Sequence, residues 1–214
     1  MTAASGSGIV FVVAAPSGTG KTTVCRLVVA RDELISFSVS HTTRPQRERE
    51  VDGDDYFFVD REQFHRLVDE EGFLEWAVYN SNHYGTSWKA IEQPLQEGRD
   101  VLLEIEVQGA RQVRERLPDA RLIFLLPPSM DVLKQRLVDR GTDSAQQIQR
   151  RLEVAESELQ AICDFDYAVP NDDLERCVAD LQRIIRAERS QSLGDVSQRF
   201  SPVAAEERFR GARI

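Results

Sequence analysis

The chain lacks a cysteine framework. Its three cysteines, Cys25, Cys163 and Cys177, are odd in number, widely spaced and match no metal-ligand pattern. Small buried side chains in a reducing cytoplasm are expected instead of disulfides or a thiolate metal site. Apolar runs of membrane-spanning length are also missing. The opening MTAASGSG has no basic stretch, so residues 1–8 read as a flexible tail rather than a signal peptide. Positive charge is in deficit: 27 Lys and Arg face 36 Asp and Glu, a net charge of −9. That balance argues against a general nucleic-acid binder, which needs a basic surface. No internal repeat or low-complexity tract stands out. What is present is an ordinary soluble composition, 41% hydrophobic and 29% charged, over 214 residues. That length allows one substantial core with smaller lobes attached.

Apolar segments alternate with helical patterns, the order expected of βα units. Strands are expected at Ile9–Ala14, Phe37–Ser40, Val101–Val107 and Arg121–Leu126, with a last one ending at Pro170. Helices are expected at Lys21–Arg31, Gln108–Arg116 and from Asp172, as N-cap candidate, to about Arg189. These pieces imply a mostly parallel sheet covered by helices on both faces. Two segments interrupt the scheme. Residues 41–97 carry aromatic strand signals (YFFV, GFLEWAVY) around a helical stretch from Asp60 to Glu71, which suits a small α+β insertion. Residues 135–155 are polar, arginine-rich and broken by Gly141. Residues 190–214 read as a loosely packed tail.

Directly after the first strand comes APSGTGKT, residues Ala15, Pro16, Ser17, Gly18, Thr19, Gly20, Lys21 and Thr22. It matches the phosphate-loop pattern G-x-x-x-x-G-K-[ST] except that Ala15 replaces the first glycine. Successive backbone N–H groups ahead of a helix N-terminus form a cradle for phosphate oxygens. Lys21 would neutralise the transferring phosphoryl group, and Thr22 would offer its hydroxyl to Mg2+. An alanine at a strand end needs no positive φ, so the departure is tolerable.

A second cluster lies in SVSHTTRPQREREVDGDDYFFV, where Arg44 and Arg47 are accompanied by Ser40 and Tyr56, and farther on by Tyr84. Two guanidinium forks with hydroxyls suit a phosphate dianion, although RPQRERE taken alone is a mixed-charge run, more often a solvated face than a site. Glu75 in FLEWA, read alone, is a surface carboxylate on a strand. Trp76 and Tyr79 read as packing residues. Glu104 and Glu106 in EIEVQG would share one face near a strand's C-terminal end, where open α/β sheets place ligands. Arg136, Arg140, Arg150 and Arg151 flank RGTDS.

Taken in order, APSGTGKT, FSVSHTTRPQR, DYFFV, FLEWA, YGT, EIEVQG, LPPS, RGTDS and VPNDDL resemble the guanylate kinases, from about Ile9 to Arg189. The resemblance implies an α/β phosphate-loop NTPase core with a mostly parallel five-stranded sheet. The core would comprise residues 9–40, 98–134 and 156–189, with 41–97 as the GMP-binding insertion and 135–155 as a helical lid. It implies ATP-dependent phosphorylation of GMP, and of dGMP, with Mg2+ as cofactor. By position it gives Ser40, Arg44, Arg47, Tyr56 and Tyr84 the GMP phosphate, and Glu75 and Thr86 the guanine. One carboxylate can accept from guanine's ring N–H and amino group together, whereas adenine lacks that donor pair. Glu104 is divided between guanine contact and structural support. The family commonly has Asp where this chain has Glu106, which leaves direct, water-mediated and Mg2+-linked roles open. Arg136, Arg140 and Arg151 would close over the ATP phosphates, and Asn171 would lie beside the adenine. GMP and ATP are then the expected partners, with no nucleic acid or membrane, and a homo-oligomer is compatible with the chain. The competing readings are a non-catalytic protein-binding module of the same fold and a kinase with a phosphorylated-sugar acceptor. Intact Lys21, Thr22 and lid arginines weigh against the first, and Glu75 with Thr86 against the second.

Overall fold

A computed structural model describes residues 8–79, 81–139 and 144–211. Five strands form the central sheet: β1 (Val10–Ala14), β2 (Ile35–Phe37), β7 (Asp100–Glu104), β8 (Arg121–Leu126) and β9 (Tyr167–Pro170). Their order is β2-β7-β1-β8-β9, and every pairing is parallel. All five residues of β1 are buried, as a central parallel strand covered on both faces requires. Alternation sends Val12, Leu103 and Phe124 to one face, and Phe11, Val13 and Ile123 to the other.

Helices α1 (Lys21–Ala30) and α7 (Leu174–Arg189) cover the second face. In α7 the buried residues Cys177, Val178, Leu181, Ile184 and Ile185 recur at helical spacing and form its core stripe. Helices α3 (Trp88–Gln96) and α4 (Val107–Arg116) cover the first face, through Ile91 and through Val107, Ala110 and Val113.

The insertion holds a four-stranded sheet of order β4-β3-β6-β5, made by β3 (His41–Thr42), β4 (Phe57–Phe58), β5 (Phe73–Tyr79) and β6 (Asn82–Ser87). Helix α2 (Arg61–Asp69) starts with a capping box between Asp60 and Gln63. The arginine-rich segment carries the end of α5 (Met130–Asp139) and most of α6 (Ala145–Leu159), which opens on a second box between Ser144 and Gln147.

Several expected boundaries move. β7 stops at Glu104, so Glu106 is not on the strand; it is the N-cap residue of α4, and Val107 begins the helix. The second strand is Ile35–Phe37 rather than Phe37–Ser40. The N-cap of α7 is Asp173, whose side chain accepts from the Arg176 amide, while Asp172 pairs with the Arg176 guanidinium at 2.6 Å. The tail is helical and packed rather than loose: α8 (Gly194–Arg199) and α9 (Pro202–Gly211), with Phe200 between them, bury Val196, Phe200 and Ala205. The Ala168 amide donates to the Phe200 carbonyl at 2.9 Å, fastening the tail to β9. Apolar residues spaced for burial outweigh the segment's mixed charge. No helix among the described residues is long and apolar enough to cross a membrane.

Candidate active site

The phosphate loop leaves the C-terminal end of β1 and enters α1. Gly18 and Gly20 take φ of 94° and 97°, a region that L side chains avoid, so the loop needs glycine there. Ala15 is fully buried in the core and is not among the positive-φ residues, which is why a methyl group is accepted. The carbonyl of Thr19 accepts from Arg136 Nη1 at 2.9 Å and from Asn171 Nδ2 at 2.7 Å. Arg136 also reaches the Asn171 carbonyl at 3.2 Å. These two residues therefore brace the loop, and with Gly18, Gly20, Thr23 and Leu174 they line a cleft on its outer side.

On the inner side, Lys21 Nζ donates to the Ile105 carbonyl at 2.6 Å and meets Glu106 Oε1 at 3.3 Å. Burial alone would lower its pKa, but the carboxylates of Glu106 and Glu104 raise it above the ordinary lysine value, so it stays cationic. Thr22 donates to Glu104 Oε1 at 2.5 Å. Glu104 and Glu106 thus both reach the site, one from the strand end and one from the helix cap.

Facing them is a pocket lined by Ser40, Arg44, Arg47, Tyr56 and Tyr84, with Thr22 and Glu104 on the near wall. Glu50, which the sequence reading missed, organises it. Arg44 makes a two-pronged contact with Glu50, at 3.0 and 2.7 Å, and the Arg47 amide donates to the same carboxylate at 2.8 Å. The Arg44 guanidinium also lies over the Tyr56 ring, 5.5 Å from its centre. The Arg47 side chain is 74% exposed and stands 3.9 Å from the same carboxylate, at the open side of the pocket. Burial, with Glu104 second, pushes the Tyr56 phenol up to about 12, so it remains a donor.

The adjoining cavity runs from Lys21 and Glu106 past Tyr84 to Glu75. Glu75 is 4% exposed, and burial pushes its carboxyl up to about 7. Its cross-strand partner Thr86 supplies an amide hydrogen bond to Oε1 at 2.9 Å. Thr86 is fully buried, and its hydroxyl shares a hydrogen bond of 3.2 Å with Ser40. Its visible work is thus to hold Glu75 and Ser40 in place. Tyr79 stands in the wall of this cavity, while Trp76 packs edge-on against Phe64. Gly109 also lines it; the motif EIEVQG contains this residue, but nothing local marks its role.

Arg151 and Arg150 stand on α6; Arg140 lies outside the described residues. Glu158, near the end of α6, was not anticipated. Burial, then the neighbouring Glu106 carboxylate, push its carboxyl up to about 8, and each of the two has one buried oxygen without a hydrogen-bond partner.

A cation anchored at the mouth of a glycine loop thus separates a braced outer cleft from an inner pocket holding guanidinium groups and a buried carboxylate. The family model described as Guanylate kinase matches residues 8–188. The chain is 48% identical to the guanylate kinase of Alkalilimnicola ehrlichii, over 93% of this chain and 96% of that one. It is 55% identical to the guanylate kinase of Thermus thermophilus over 86% and 84% of the two chains. The crystal structure of guanylate kinase from Anaplasma phagocytophilum superposes with a TM-score of 0.72 at 35% identity, covering 86% of this chain and 87% of that one.

Proposed function

The chain belongs to the guanylate kinase family, and we propose that the inner cavities receive GMP while the loop and outer cleft receive ATP. The reaction is ATP-dependent phosphorylation of GMP to GDP. The buried Glu75 carboxylate, aimed into a cavity that continues into the arginine pocket, carries the assignment of residues. When ionised it accepts from the guanine ring N–H and amino group together. Adenine would leave it unsatisfied, at a cost of about 1–3 kcal/mol or more for a charge. Arg44, Arg47, Ser40, Tyr56 and Tyr84 then take the phosphate.

An oxygen of that phosphate attacks the ATP γ-phosphorus. The new P–O bond forms as the bond to the bridging oxygen breaks, and ADP leaves with the bond's electron pair. No general base is needed, because the nucleophile is already anionic. Catalysis consists of alignment and charge neutralisation. Lys21 supplies charge between the two nucleotides, and Arg44 holds the acceptor. Arg136, Arg140 and Arg151 are assigned to the donor side, where closure of residues 135–155 would exclude water.

The residues fit Mg2+. The Thr22 hydroxyl donates its hydrogen bond to Glu104, so its oxygen lone pairs are open to a hard cation in an all-oxygen setting. Thr22 would hold the ion, which when bound screens the transferring charge. Asn171 would border the adenine in the outer cleft.

A coupled assay of ADP formation across GMP, dGMP, AMP, CMP and UMP tests the reading. Turnover should be confined to the guanine nucleotides; comparable rates with AMP would overturn the role given to Glu75.

A further inference from the structure

Helix α4 presents Gly109, Gln112 and Arg116 along one stripe, at spacings of three and four residues, toward strand β5. β5 is an edge strand of the insertion sheet, so its outer backbone groups have no neighbouring strand. Gln112 fills that gap at Trp76. Its Oε1 accepts from the Trp76 amide at 3.1 Å, and its Nε2 donates to the Trp76 carbonyl at 2.7 Å. Arg116 Nη1 donates to the carbonyls of Phe73 and Leu74 at 2.6 and 3.0 Å. The backbone on both sides of Glu75 is therefore tied to α4, across a stretch where the pairing of β5 with β6 is irregular.

Gly109 completes the seat. A Cβ built there would lie 2.4 Å from Glu75 Oε2 and 3.1 Å from its Cδ. Gly109 has no positive φ, so its conformation suits any residue, and alanine would be the better helix former. What excludes the methyl group is the carboxylate. We infer that Gly109 and Gln112 are positioning residues for guanine selection: α4 replaces the missing strand beside β5, and the space left at Gly109 fixes where the Glu75 carboxylate stands. This rests on Glu75 as the guanine reader.

The test compares GMP with IMP, which keeps the ring N–H and carbonyl but lacks the 2-amino group. Glu75→Ala is the reference and should abolish the preference for GMP. Gly109→Ala should raise KM for GMP about tenfold and shrink the preference over IMP, leaving KM for ATP within about twofold. Added to Glu75→Ala, it should cause no further loss, because the methyl group then has no carboxylate to displace. Gln112→Met removes both hydrogen bonds at similar volume without entering the cavity. It should raise KM for GMP about threefold to fivefold, again with the preference over IMP reduced. Equal losses for GMP and IMP, losses that add to Glu75→Ala, or wild-type selectivity in both variants would overturn the inference. If Gly109→Ala does not fold, Gln112→Met decides. If Glu75→Ala itself keeps the GMP preference, the guanine reading fails and the inference with it. If Glu75→Ala loses it while the α4 variants do not, the inference alone falls.

Discussion

Glu75 shows most plainly how one residue's function strains the fold. Its carboxyl is raised to about 7 from an ordinary 4.5. Between those values the folded chain holds a proton that the unfolded chain has released, so stability falls as pH rises through that window. Above about 7 the buried charge is fully present, and its cost approaches about 3 kcal/mol at about 1.4 kcal/mol per pH unit. Glu75→Gln keeps an acceptor for the Thr86 amide and removes the charge. It should therefore be more stable than the parent at pH 8 by about 2–3 kcal/mol, and no more stable near pH 4.5, in urea titrations at both values. Affinity runs the other way. The proposed guanine role needs the ionised form, so on that proposal wild-type KM should rise on acidification below about 7, beyond any rise seen with Glu75→Gln, whose profile reports the nucleotide's own phosphate titration. Identical profiles would show that Glu75 does not titrate in the site.

Glu50 belongs to the same scale. By gripping Arg44 at two points and the Arg47 amide at a third, it presets the acceptor pocket. Glu50→Ala should raise KM for GMP about threefold to tenfold with little change in KM for ATP, measured by initial rates. The phosphate loop was legible in the sequence because its chemistry lies in consecutive backbone groups. Gly109 and Glu158 were not, because each acquires its role from a neighbour brought close only by folding. Glu50 was hidden differently, as one more carboxylate at the end of the mixed-charge run RPQRERE, where only the local turn shows it gripping Arg44 and Arg47.

At the scale of elements, legibility followed burial. β1 and β8 are continuous apolar runs and could hardly be anything else, whereas β3 and β4 are two residues each and exist only through their sheet partners. Strand β7 was expected to run on to Val107, but it stops at Glu104, since Ile105 must give its carbonyl to Lys21 and α4 begins at Val107. Asp172 was the expected cap of α7, but the cap is its neighbour Asp173, and only geometry separates cap from ion pair. Asp173→Ala should cost about 1 kcal/mol through loss of the cap, and Asp172→Ala clearly less, by urea midpoint at constant slope. The reverse order would return the cap to Asp172.

Across the whole molecule, the glycine loop and the inner cavity meet at Lys21, and in a chain of net charge −9 the proposed binding of two polyanions rests on local cations. Internal carboxylates, Glu106 on Lys21 and Glu50 on Arg44, hold those cations ready. The described residues beyond 193 line none of those cavities but close the far edge of the sheet. Phe200 and Val196 are 2% and 4% exposed, and the Phe200 carbonyl caps the Ala168 amide on edge strand β9. Burying two such side chains contributes roughly 3–5 kcal/mol. Deleting residues 194–214 should therefore lower Tm by about 10 °C in a chain of this size. It should also expose an apolar edge that promotes association. Turnover per folded molecule at 25 °C should be retained, because none of the described residues lining the loop cleft or the inner cavities lies in the deleted segment. An unchanged Tm would mean that the segment's burial adds nothing to the fold.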